Sequence, residues 1–513
     1  MNPRASFIRK VIYLGLIVLL LIPLSLIGMP AKRSDGSGGG VLAELRREND
    51  ISEASLGEID PTAESVKLVM FGLRAPAITM LYHNLQEQQK KKQWDAQRAT
   101  LEELAKLQPH FTGVWRHQAW NLSYNISAEW DDYKQRYRCV KEGIQFLHEG
   151  TTKNRREARM IWDMGWFTSQ KIGRADEHRE FRRLFADRTD DLFDFLDARI
   201  PDEKAKLVHR GRRDNWLMGK AWYVAGADMI DRGDADLIGM GDFQYFSSAP
   251  MAQHNYAEAI EVDGTFGEPA KAAWGDGSRE WLEYGNRELV YEDGLNVKMN
   301  DYEPLLEKFN ERVAALDALK PGLRKEMEEE KVAKLKPETQ EALKLPEEQR
   351  TEEQRMAAYG AISDIYVDYA DIPPRLPADK QAEGKKIGEE IAALRRKLNG
   401  IEYFRGVINF EYWRERGRME VRDDTIEARR LGYLADQAVE QGNLEQAKEY
   451  YAGSLAQWKA AFAAHPKMAD DGTVGDDVAQ MIRRYRSGVL DKLNEELPED
   501  PLYKHLLDYF PEE

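Results

Sequence analysis

An all-α fold is predicted, on three observations. Strand-like alternation of Val, Ile and Thr is nearly absent. Ala, Leu, Glu, Lys, Gln and Arg recur at spacings of three and four, the period of one helix face. Paired helical patterns, closed by Gly or Pro, return along the chain, the mark of a repeat architecture. The 513 residues are 42% hydrophobic and 32% charged, a balance that suits a folded body rather than a disordered one. The expected architecture is an N-terminal transmembrane helix followed by an α-helical solenoid of helix pairs, with a loop-rich middle region and a charged helical segment.

The elements follow in chain order. A short basic tail, 1–10, ends at Arg9 and Lys10. The run 11–31 holds no charge and is closed by Lys32 and Arg33. At about 1.5 Å per residue it matches a hydrocarbon core of about 30 Å. It is therefore expected to cross a lipid bilayer once. A cleaved secretory signal is the rival reading, but the run is longer than a usual signal core and no clean A-x-A site follows it. With the short tail inside, the rest of the chain would lie on the far face of that bilayer. Residues 32–60 include RSDGSGGG from Arg33 to Gly40, a flexible tether. The first 35 residues hold five basic groups and one acid, so of the net −16 the remainder must carry −20. A body that acidic is repelled by anionic headgroups.

Residues 61–205 are expected to be a tetratricopeptide-like helical region. Leu81, Leu101, Leu104 and Pro109 sit at repeat offsets between Ile78 and Pro109. Trp115, Ala119, Leu122, Tyr133, Val140 and Gly143 suggest a further pair, and Ile161 to Leu184 another that turns at Gly173. Residues 206–300 are rich in Gly, Asp and aromatics, which predicts short helices joined by long loops. Residues 301–400 are highly charged and broken by Pro321, Pro337, Pro346, Pro373, Pro374 and Pro377, as expected of a projecting helical segment. The clearest repeat lies in 401–490. Leu431, Leu434, Ala435 and Ala438 take the positions of a first helix, Gly442 ends it, and Leu444, Ala447, Tyr451 and Ser454 take those of a second. Small residues there let two antiparallel helices approach, and larger ones fill the groove between them. The second helix is expected to run through Trp458 and Phe462 to Pro466. An acidic tail, 491–513, closes the chain.

Chemical signatures are scarce. The net acidity argues against nucleic acid, whose phosphates need clustered Lys and Arg. A single cysteine, Cys139, excludes a disulfide framework and any multi-cysteine metal site. Asp176, Glu177 and His178 lack a second ligand at helical spacing, and His110 and His117 share a face without a third ligand close by. No Walker lysine, H-E-x-x-H or G-x-S-x-G occurs, so no catalytic residue, metal or cofactor is expected. One cluster invites a binding role. Asn121 and Asn125 share a helix face, with Trp115, Trp120 and Trp130 around them. This is either a polar groove with tryptophan anchors for a partner protein, or a buried asparagine pair that bonds neighbouring helices.

Two stretches carry a resemblance. Pro109 to Leu147 (PHFTGVWRHQAWNLSYNISAEWDDYKQRYRCVKEGIQFL) with Gly165 to Phe185, and Ile408 to Tyr451, resemble a group of membrane-anchored, tetratricopeptide-like proteins of planctomycete-type bacteria. The likeness covers mainly the two ends of the chain. Some members carry an "iron responsive element" label, which names an RNA element, and no residue here supports iron binding. The resemblance supports the architecture and a bacterial envelope setting, the body on the periplasmic side of the inner membrane, and transfers no activity. The anchor, the tether and the repeat helices, whose concave faces commonly receive peptides, predict a scaffold that binds other proteins. An envelope enzyme or ligand-binding protein with a site in 206–300, and a structural spacer, are the alternatives. Replacing 301–400 with an unrelated segment of equal length would separate spacer from binder.

Overall fold

The computed structural model describes residues 74–187, 208–235 and 241–512, together with scattered positions between 12 and 45. The protein is mostly helical. Its described strands form two short antiparallel ribbons, β1–β2 (Val208–His209 and Arg212–Arg213) and β3–β4 (Leu289–Tyr291 and Leu295–Val297). Among the described residues no helix is long and apolar enough to cross a membrane. This overturns the single-pass membrane location expected from 11–31, a run that itself lies largely outside the described residues, as does most of the tether. The described helices of 17 residues or more all carry charged side chains. Even the 27-residue helix Gln381–Val407 carries ten charged side chains, far too many for hydrocarbon.

The chain divides into two compact units, 1–256 and 257–513. In the first, helices α1 (Arg74–Lys90) and α2 (Trp94–Leu107) form one pair. Helix α3 (Thr112–Trp120) continues as a π-turn, Asn121–Ile126, and packs on α4 (Tyr133–Lys153). Helix α5 (Ala158–Trp166) likewise passes into a π-turn, Phe167–Lys171, ahead of α6 (His178–Phe185), and α7 (Asn215–Asp231) lies along α5. The boundary between the units falls inside the next helix, α8 (Asp242–Val262), so that its last turns, from Ala257, belong to the second. Leu101, Leu104, Ile144, Leu147, Met160 and Phe181 build the core. Leu81 packs against it half-buried, and the Pro109 carbonyl accepts bonds from Trp115 Nε1 and Asn154 Nδ2, both at 2.8 Å. Gly173 is not the turn that the sequence suggests. It lies inside the continuing helix, where a Cβ would meet the Trp216 ring at 2.4 Å, and the chain turns after Arg174 instead.

In the second unit, α9 (Glu268–Gly285) precedes a long antiparallel pair, α10 (Tyr302–Leu319) and α14 (Gln381–Val407). Lys380 Nζ bonds the Leu319 carbonyl at 2.8 Å near one end and Tyr302 bonds Glu402 at 3.1 Å near the other. Between them come α11 (Leu323–Val332), α12 (Pro337–Lys344) and α13 (Glu352–Ile365). Pro337 starts α12, where its missing N–H costs nothing. Then follow α15 (Phe410–Glu420), α16 (Asp423–Glu440), α17 (Leu444–Ala464), α18 (Val474–Tyr485) and α19 (Pro501–Tyr509).

Helices α16 and α17 have the boundaries that their sequence suggests. Gly442 adopts φ +75° just past α16, a backbone that glycine takes without strain, and α17 stops two residues before Pro466. Ala435, Ala438, Ala447, Tyr451 and Ser454 are buried between the helices, while Leu431, Leu434 and Leu444 are half-buried. Ser454 Oγ donates to the Ala428 carbonyl at 2.6 Å, tying the two backbones together.

Two other expectations need correction. Residues 206–300 are not loop-rich: they hold α7, α8 and α9, of 17, 21 and 18 residues. Their glycines and aromatics serve packing, with Trp216, Trp222, Trp274 and Trp281 fully buried. Residues 491–513 are not merely an acidic tail. Asp500 caps α19 by accepting from the Leu502 N–H at 2.8 Å, and Leu506 is fully buried in the core around α18.

Candidate functional site

The structure separates the five residues around Asn121. Trp115 belongs to the core: it is 2% exposed and its ring sits 4.7 Å from that of Phe146, so it is no anchor for a partner. Asn121 is buried and its Nδ2 donates to Gln97 Oε1 of α2 at 3.0 Å. Asn125 Nδ2 donates to Asn121 Oδ1, also at 3.0 Å. The pair spends these bonds on joining α2 to the π-turn. Trp120 and Trp130 face outward, 46% and 48% exposed.

The two π-turns described for the first unit share one construction. Ser127 Oγ bonds the Ser123 carbonyl at 2.6 Å, and Ser169 Oγ bonds the Gly165 carbonyl at 2.7 Å. A hydroxyl that captures the carbonyl four residues back loosens and bends the helix. Each turn also lies against a glycine of the next long helix. A Cβ on Gly143 of α4 would stand 2.8 Å from the Ala119 carbonyl, and one on Gly219 of α7 would stand 2.5 Å from Ser169 Cβ. Such turns recur at functional sites.

Between these turns the side chains build an aromatic surface. Trp120 stacks on Tyr124, with centroids 4.0 Å apart and planes 16° apart, and both meet the Phe167 ring edge-on. Trp166 Nε1 donates to the Tyr124 hydroxyl at 3.1 Å, and Trp166 stacks in turn on Trp162. Lys171 Nζ lies 4.5 Å from the Tyr124 centroid, and the Arg159 guanidinium lies 4.5 Å from that of Trp162. Burial pushes the Tyr124 hydroxyl up and the Lys171 ammonium down from their ordinary pKa values, with Glu177 partly opposing the shift at Lys171. The result is a rigid ladder of rings backed by two cations and open to solvent at Trp120. Asn121 and Trp120 were visible in the sequence. Phe167, Lys171 and Trp166 were not, because only the packing of α5 against α3 and α4 brings them near.

The second unit buries charge. Arg416 of α15 donates to Glu258 of α8 at 3.0 Å and to the Tyr412 hydroxyl at 3.3 Å, and it lies 3.6 Å from Glu420. Arg429 of α16 grips Glu420 with two bonds, 3.1 and 2.6 Å, and stands 3.5 Å from Glu261. The Trp274 and Trp458 rings cover the two guanidiniums. Burial disfavours charge on either arginine, but nearby carboxylates more than offset this and hold both cationic, Glu258 and Glu420 at Arg416 and chiefly Glu420 at Arg429. Burial also pushes Glu261 up to about 8, and raises Asp477 of α18. Four acids thus share two arginines.

Other sequence candidates resolve into local roles. His110 and His178 each place Nδ1 3.0 Å from a backbone carbonyl, of Lys153 and Ala175. Among the described residues no group of three His, Cys, Asp or Glu is arranged to hold a metal ion. Burial, with the Glu142 carboxylate, raises the pKa of the Cys139 thiol, which works against reactivity.

No family model matches the chain, and neither a curated protein nor a solved structure shows significant similarity to it.

Proposed function

We propose that this chain is a tetratricopeptide-like helical-repeat protein that binds another protein, and that Trp120, stacked on Tyr124, is its anchor. One observation carries the reading: a large ring nearly half exposed yet already held in place. Such a side chain offers apolar area at little further entropic cost, as interface hot spots do. The helix pairs supply the stiff support. Asn121 and Asn125 then act from beneath, by fixing the turn that carries the ring. Trp130 is a second exposed ring on the linker between the π-turn and α4, and it extends the same reading.

The test is photo-crosslinking. A benzoylphenylalanine at position 120 captures a defined partner that the same residue at the exposed Met80 does not. Trp120→Ala lowers retention of that partner at least about tenfold while the far-ultraviolet circular dichroism stays unchanged. Equal capture at both positions refutes the assignment.

A further inference from the structure

We propose that the outward face of α13 is a docking site for a basic amphipathic helix of a partner protein. The surface lies in the second unit and is independent of the Trp120 reading.

Helix α13 is built with its amphipathicity reversed. It rests on α11 and α12 through small residues, the buried Ala358 and Ala361. Its large apolar side chains, with Tyr366 at its C-terminal end, face solvent: Met356 is 69% exposed, Tyr359 75%, Ile362 56% and Tyr366 51%. At about 100° per residue the four fall within an arc of about 120°. Single exposed hydrophobic residues are ordinary. Four of this size on one helical stripe mark an interaction surface. Gly360 lies beside the stripe, and a Cβ there would meet nothing within 4 Å. No packing need explains a glycine at mid-helix, where it weakens the helix, but its bare backbone lets another helix approach closely.

The face is also held ready. Thr351 and Gln354 close a reciprocal capping box at the start of α13, and Lys331 Nζ donates to the Tyr366 carbonyl at 2.5 Å at its end. A partner therefore need not pay to order it.

Charge selects the occupant. Residues 347–371 hold seven acids and only two arginines. A second copy of this chain would bring the same acid-rich segment against itself, and an anionic lipid surface would be repelled. A helix with an apolar stripe flanked by Lys or Arg satisfies both features, by the helix-against-apolar-face mode of recognition.

The test uses the full chain and a fluorescent synthetic helix of Leu and Lys in amphipathic heptads, with a Leu/Glu helix of the same pattern as control. Fluorescence anisotropy is expected to show binding of the Leu/Lys helix that weakens with added salt, and no binding of the Leu/Glu helix. Tyr359→Ser alone, and Met356→Ser with Tyr359→Ser and Ile362→Ser, weaken it at least about tenfold. These side chains are exposed, and circular dichroism checks that the fold is kept. Absent binding, equal binding of the two peptides, or affinity unchanged in both variants would each overturn the proposal. So would sedimentation showing a dimer, or flotation on phosphatidylserine vesicles, that the triple variant abolishes.

Discussion

A carboxylic acid buried among like charges stays neutral far above its solution pKa. Glu261 is such a group. Its folded pKa, about 8, exceeds the roughly 4.3 of an unfolded chain. Between those values the folded state holds a proton that the unfolded state has lost. The stability carried by this proton is whole below about pH 4 and drains away as pH rises to about 8. Urea unfolding of the wild type should therefore show its midpoint falling from pH 5 to pH 8. Glu261→Gln, which mimics the protonated form, should flatten that fall. A variant whose midpoint tracks the wild type across the range would show that Glu261 is ionised throughout. Removing one arginine is the harsher change. Arg416→Met leaves Glu258 and Glu420 without this partner in the interior and should cost about 3–5 kcal/mol, read from the same unfolding curves.

At the scale of the element, close approach decides more than composition does. The π-turn after α3 presses on Gly143, and that after α5 presses on Gly219. Gly143→Ala and Gly219→Ala should each destabilise the first unit by about 1–3 kcal/mol, because the added methyl must displace backbone or a Cβ rather than a flexible tip. Gly360→Ala on α13 should do the opposite and stabilise by about 0.5–1 kcal/mol, since space is open there and alanine favours helix. Equal effects at all three sites, by thermal or urea unfolding, would show that propensity and not contact governs them. The pair α16–α17 was legible in the sequence because its signals are local: small residues at the crossing, Gly442 at the turn, Pro466 at the stop. The π-turns were not. Each of the two in the first unit depends on a serine bond to its own backbone and on a glycine of a later helix, and hydrophobic period registers neither.

Across the molecule, acids held low and acids held high pull stability in opposite directions with pH. Burial alone would raise Glu303, but its bonds from Arg414 and Arg405 hold it down to about 2. The arginines beside Asp424 and Glu427 depress those carboxyls too. Their support is present above the usual carboxylate range and lost as pH falls through the lowered values. Glu261 acts on the alkaline side. The denaturation midpoint should accordingly peak near pH 5 and fall on both sides, and a flat profile between pH 3 and pH 8 would contradict this balance.

The amino-acid sequence by itself determined a mostly helical chain, the ends of its most regular helix pair, and the absence of recognised catalytic motifs. These follow from spacing, caps and composition, which act over a few residues. Tertiary structure alone decided which ring is core and which is surface: Trp115 is sealed by Phe146 while Trp120, five residues on, stands in solvent. It decided that the aromatic and Gly-rich middle is packed helix. It set Met356 and Tyr359 outside and two alanines inside on α13, against what periodicity suggests. And among the described residues it offers no helix fit to cross a membrane. Burial is a property of neighbours brought from far along the chain, and no local pattern encodes which neighbours will arrive.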